Sequence, residues 1–152
     1  MASLSCVTLF VSFVRVAAVR RVRVSFITYV FTELNMAIQR FHVGPRLSEI
    51  AIHNGTVYLA GQIAENADLD IVGQTQEVLA SIDRLLAEAN SDKSLILSTQ
   101  IYLADMADFA GMNSVWESWV VQGATPPRAT VEAKLANPKC KVELVIVAAQ
   151  KD

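Results

Sequence analysis

The run Thr125-Pro126-Pro127-Arg128-Ala129-Thr130-Val131-Glu132 opens a strand on a stiff lead-in. Its two prolines restrict the backbone just ahead of Arg128, and the residues after it alternate as a strand does. Arg128, Thr130, Glu132 and Lys134 fall on one face, with Ala129, Val131, Ala133 and Leu135 on the other. A guanidinium held this way suits a carboxylate or phosphate, because its planar fork of donors matches two oxygens. The same spacing also fits an edge-strand arginine in an ordinary surface ion pair. Pattern alone leaves both readings open.

Working outward toward the N-terminus, Asp105 offers a cap for a helix over Met106–Val121. Phe109, Met112, Trp116, Trp119 and Val120 recur at helical spacing, which assigns them to packing against a sheet. Asn113 is the polar residue of interest on that helix; ordinary solvation accounts for it equally well. Ahead of it, Leu95–Leu103 is rich enough in β-formers for a central strand. Asp70 caps a second one-sided helix over Ile71–Ala89, with Thr75, Leu79, Ile82, Leu85 and Leu86 as its apolar stripe. Glu49–His53 and Thr56–Ile63 flank Asn54-Gly55, a pair suited to a tight hairpin because both turn positions need positive φ. Gly61 marks a place where the backbone bends or approaches a neighbour closely. Ile38–Val43 reads as a first strand, followed by Gly44-Pro45 and by Arg46 in a turn.

Toward the C-terminus, Lys141–Ala149 alternates cleanly, and Ala136-Asn137-Pro138-Lys139 joins it to Arg128–Leu135 as a last hairpin. From Met36 the order is βββαβαββ. This predicts an α+β domain with a mixed sheet and two helices on one face. Lys141, Glu143, Val145 and Val147 share one face of the last strand, and Val142, Leu144, Ile146 and Ala148 share the other. Helices cover only one side, so a sheet apolar on both faces wants a second cover, and a symmetric oligomer supplies one. Glu143 would then lie at an interface; its alternative is an exposed strand acid.

The chain has 152 residues, 53% of them hydrophobic, enough for one domain with its own core. A formal charge of −2 gives no electrostatic reason to expect nucleic acid. Cys6 and Cys140 lie far apart and form no disulfide framework, which favours a reducing cytoplasm. His42 and His53 are at no ligand-like spacing, so neither a metal nor another cofactor is expected.

Residues 1–35 differ in composition from the rest. They hold Arg15, Arg20, Arg21 and Arg23, with no acid before Glu33. The apolar run before Arg15 is shorter than the roughly 20 residues a spanning helix needs, and its positive charges follow it, the reverse of a secretory signal. The reading adopted is an N-terminal extension from upstream translation, with Met36 as the usual start. An organelle transit peptide, Arg-rich and acid-poor, and a membrane-associated tail are the alternatives. Residues 36–152 are expected to form the domain, with no membrane partner.

From about Val43 to Ala149 the chain resembles the Rid proteins, also called the YjgF family. The resemblance rests on Leu59-Ala60-Gly61-Gln62-Ile63, Phe109-Ala110-Gly111-Met112-Asn113 and Pro127-Arg128-Ala129-Thr130-Val131-Glu132. Leu135-Ala136-Asn137-Pro138 and Lys141-Val142-Glu143-Leu144 complete it, in the family's order and spacing. It implies a chorismate-mutase-like fold, a homotrimer with clefts between subunits, and deamination of reactive 2-imino acids and their enamine tautomers released by pyridoxal-phosphate enzymes. It also implies that Arg128 binds the substrate carboxylate and Glu143 positions or activates water, with Asn113 and the Gly61 backbone lining the cleft. Three positions depart from the pattern. Thr130 stands where familiar members have cysteine, Arg46 where they have tyrosine, and Ala60 where serine is frequent. Thr130 is expected to hold water or imine by hydrogen bonds, and Arg46 to favour a larger or dianionic substrate if it faces the cleft.

Imine hydrolysis requires no metal, because a protonated C=N is already electrophilic. The competing expectation is a trimeric protein that binds a carboxylate metabolite through the same Arg128 without turning it over. A ribonuclease is disfavoured, since such an enzyme usually wants paired acid–base groups and a basic phosphate groove.

Overall fold

Asn54 and Gly55 both adopt positive φ, 50° and 71°, and close a two-residue hairpin between β2 (Ser48–His53) and β3 (Thr56–Leu59). The structure, a computed structural model, describes residues 37–152. The expectations for residues 1–35 lie outside the described residues. β1 (Gln39–Val43) pairs antiparallel with β2. After β3 come β4 (Gln62–Ile63), α1 (Ile71–Glu88), β5 (Ile96–Leu103), α2 (Phe109–Trp119), β6 (Arg128–Glu132) and β7 (Val142–Ala149). The sheet order is β1-β2-β3-β7-β5-β6, with β4 also on β7. Only β5 and β6 are parallel, joined by the α2 crossover; the result is the expected mixed α+β sheet with two helices.

The last hairpin does not form. β6 pairs with β5 at the sheet edge, whereas β7 is inserted between β3 and β5. Local alternation cannot reveal this, because β7 is apolar on one face throughout and gains most by occupying the middle of the sheet. β6 also ends at Glu132, so Lys134 and Leu135 lie beyond the strand.

Val142, Leu144, Ile146 and Ala148 on β7 are fully buried, alternating with half-buried Glu143, Val145 and Val147. The buried set meets Ile101 and Leu103 of β5, Val57 and Leu59 of β3, and the α1 stripe of Val78, Leu79, Ile82, Leu85 and Leu86. Asp70 caps α1 by accepting from Gly73 N at 2.8 Å. The helix stops where Asn90 turns to φ 55°. Gly111 lets α2 approach the start of α1: a Cβ there would lie 2.6 Å from Ile71 Cγ2.

Two bulges alter the expected alternation. Tyr58 pairs with Val147, but Gln62 pairs with Leu144, so Ala60-Gly61 contributes one extra residue opposite β7. The phase therefore flips: Gln62 is buried and Ile63 faces out. A second shift between Ile96 and Ser98 leaves Leu97 half exposed. α2 is shorter than expected because Asp105 caps a 3₁₀ turn over Met106–Asp108, accepting from Ala107 N at 2.8 Å. That tighter turn rotates the stripe, and Phe109, expected in the core, is 38% exposed, while Met112 and Trp116 are buried. Among the described residues, no helix is long and apolar enough to cross a membrane.

Candidate active site

Arg128 stands at the first position of β6, opposite Thr99 of β5. Thr99 in turn faces Ile146 of β7, so Arg128 is on the helix-covered side, at the exposed edge of the sheet. There α2 meets it. Arg128 Nη1 donates to Asn113 Oδ1 at 2.9 Å, and its guanidinium carbon lies 5.2 Å from the centre of the Trp116 ring. Among the described residues it forms no ion pair, so its charge and most of its donors are uncommitted within the single chain. Thr130 follows two residues along on the same face, and its buried hydroxyl has no hydrogen-bond partner; neither has that of Thr99. Buried hydroxyls without partners are uncommon.

Glu143 belongs to the opposite face. It pairs with Ile63 on one side and Tyr102 on the other, and Tyr102 pairs with Val131. The Ala60-Gly61 bulge sits directly against it: a Cβ on Gly61 would lie 2.0 Å from Glu143 Oε1. Glycine is therefore what allows the Glu143 carboxylate to keep this position. Gln62, the next residue, fixes this segment from behind. Its amide donates to Glu49 Oε2 at 2.9 Å, and its carbonyl accepts from Ser81 on α1 at 3.0 Å. A polar groove of about 320 Å³ runs along this support, lined by His42, Glu49, Gln62, Glu65 and Arg84 together with Gly61. It includes neither Arg128 nor Glu143.

The residues singled out by sequence thus gather in two groups. Arg128, Asn113 and Thr130 share the helix side of the β6 edge, and Gly61 and Glu143 share the open face near β4. Arg46 is exposed in the β1–β2 turn, beside the Gly44 N to Leu47 O hydrogen bond of 2.8 Å. Within one chain, the arginine and the acid do not face each other. Cys140 is not in a hairpin but buried in the loop before β7. Burial, reinforced by the Glu143 carboxylate, pushes its thiol above the usual range, so it stays protonated and is no substitute nucleophile. Sequence reasoning assigned Trp116 to packing alone and did not consider Thr99. Its place three residues after Asn113 on the crossover helix was the available signal for Trp116.

The open face carries exposed apolar residues: Tyr58 at 48%, Ile63 at 43% and Val131 at 48%. Known proteins share this fold and much of this sequence. Residues 37–150 match the family model described as Endoribonuclease L-PSP. The chain belongs to that family, the YjgF or Rid family. A RutC family protein of Haemophilus ducreyi is 52% identical over 112 residues, covering 74% of this chain and 96% of its own. The RutC family protein YoaB of Escherichia coli is 50% identical over 114 residues, covering 75% and 99%. A YjgF-family crystal structure from Neisseria meningitidis superposes with a TM-score of 0.76 at 48% identity, covering 78% of this chain and 98% of that one. The family resemblance and the fold it implied are thereby established, from just before β1 to just past β7.

Proposed function

We propose that this YjgF-family chain hydrolyses reactive 2-imino acids to 2-oxo acids and ammonia at sites closed between copies of itself. The observation that carries this reading is the division of the site residues between two sheet faces of one chain. Arg128, Asn113 and Thr130 form an anion-binding half with no acid in it. Gly61 and Glu143 form a half with an acid and no cation. A second copy docked on the apolar open face would bring one half against the other, and a closed ring of three uses every half once.

The chemistry follows from the two halves. Arg128 takes the substrate carboxylate in a forked pair of hydrogen bonds and fixes the imine carbon in place. Glu143 accepts a proton from water as the oxygen adds to that carbon, giving a carbinolamine. Glu143 passes that proton to nitrogen and takes the hydroxyl proton as the C–N bond breaks, so the 2-oxo acid and ammonia leave and the proton returns to solvent. Thr130 and Asn113 offer hydrogen bonds to the water or the imine nitrogen. Substrates of this kind arise as enamine and imine products of pyridoxal-phosphate enzymes, and a cytoplasmic setting, with which a free buried Cys140 is consistent, is part of this proposal. The residues chosen require no metal or other cofactor, and neither nucleic acid nor membrane is a partner in this scheme.

The test is release of 2-oxo acid from freshly generated 2-aminoacrylate and longer imino acids, using wild type, Arg128→Ala and Glu143→Ala. Each variant alone should be inactive. Trimers assembled from an equal mixture of the two should recover about a quarter of the sites, because half of the Arg128 sides and half of the Glu143 sides are intact. No recovery would place both halves in one chain and overturn the arrangement. Binding of 2-oxo acids through Arg128 without any turnover would make the protein a carboxylate-binding trimer instead.

A further inference from the structure

The sequence contains two tryptophans, and they stand side by side behind Arg128. Trp116 is 6% exposed, and its ring lies 5.4 Å from that of Trp119 at a 49° tilt. Trp119 is itself tied down: its Nε1–H donates to Asp83 Oδ2 on α1 at 2.8 Å. Lys93 closes the far end, with its ammonium 5.2 Å from the Trp119 ring centre and 3.9 Å from Asp83. The row therefore runs Lys93 and Asp83, Trp119, Trp116, Arg128, with a cation at each end and the indoles between.

This row is more than core packing. A guanidinium over an indole face is attracted by the ring quadrupole, and the plane of the ring limits how the fork can be turned. Asn113 accepts from one nitrogen and so fixes the rotation about the remaining axis. An exposed arginine otherwise samples many rotamers, and ordering it on binding costs affinity. Here the ordering is done in the empty protein, by neutral partners that leave the charge uncompensated.

We infer that Trp116 is a positioning residue for carboxylate capture, holding the Arg128 guanidinium ready, with Trp119 and Asp83 keeping Trp116 in place. The inference rests on the reading of Arg128 given under Proposed function. It goes beyond it by assigning substrate affinity to a residue that touches no substrate, and by making the indole a direct reporter of site occupancy.

Three measurements test it, with pyruvate as the carboxylate probe and an imino acid as substrate. In Trp119→Phe, Trp116 is the remaining indole, and saturating pyruvate should shift its emission; adding Arg128→Ala should leave the titration flat. In Trp116→Leu, KM for the imino acid should rise about tenfold, with kcat changed less than about twofold, while Trp116→Phe keeps a ring face and restores most of the affinity. Trp116 is buried, so Asp83→Ala supplies a milder variant, expected to raise KM about twofold to threefold with the circular dichroism spectrum unchanged. If Arg128→Ala abolishes pyruvate binding but Trp116→Leu and Asp83→Ala do not weaken it, the inference fails and the site reading stands. If pyruvate binds equally well without Arg128, both fail.

Discussion

The two halves of the proposed site are held by different means. Arg128 is fixed by side chains: an amide at 2.9 Å, an indole face at 5.2 Å, and a row of aromatic and charged groups reaching back to α1. Glu143 is fixed by backbone: a strand in the middle of the sheet, and a bulge whose glycine leaves it room and little more. The first half tolerates change in proportion to what each partner supplies. The second depends on a single missing Cβ, so even a methyl group should matter there.

The strongest way to break this contrast is Arg128→Ala, which removes the group everything on the helix side serves. We expect kcat/KM to fall about a thousandfold with thermal stability unchanged, since a desolvated charged pair is worth several kcal/mol and Arg128 is exposed in the single chain. Arg128→Lys should recover little of this, because a point charge does not reproduce the fork. Gly61→Ala sharpens the other side. The clashing atom is the far end of a flexible side chain, so Glu143 should rotate away and the fold should survive, with melting temperature close to wild type. Deaminase activity should drop about a hundredfold through misplaced acid–base chemistry. A melting temperature lowered by ten degrees or more would show instead that the bulge is needed for folding. Asn113→Ala tests the graded behaviour of the first half: about a tenfold rise in KM, with kcat nearly constant. Measured kcat loss without a KM change would move Asn113 from positioning to chemistry.

A residue remote from both halves should affect stability alone. Ser94 and Lys151 hold the Asp92 carboxyl down at about 2. A carboxyl depressed on folding contributes stability above its unfolded value of about 3.9, and loses it as pH falls toward the folded one. Asp92→Asn should therefore lie slightly below wild type in denaturant midpoint at neutral pH, with the gap closing between about pH 4 and 2. The effect is small because the pair is largely solvated. Any change in turnover at neutral pH would contradict the assignment of function to the two halves.

Much of this was legible in the chain itself. Asn54-Gly55 set a turn through its positive φ values, Asp70 set the start of α1 through its cap, and the spacing of β7 announced a strand with one wholly buried face. Gly61 announced a close approach, and its neighbour proved to be Glu143. Phe109 failed because a 3₁₀ turn ahead of α2 shifted the stripe, which residue spacing cannot register. The last hairpin failed because strand order depends on which face of a distant strand still needs cover.

The sequence by itself determined the elements, the buried faces and the identities of the arginine, amide, glycine and acid. The elements and faces follow from local sterics, capping and periodicity, which act over a few residues; the four site residues were singled out by the family resemblance that their motifs carry. The tertiary structure decided that β7 enters the sheet between β3 and β5, and that Arg128 and Glu143 therefore look out from opposite faces. Sheet order is settled by burial summed over the whole fold, and no local pattern carries that sum.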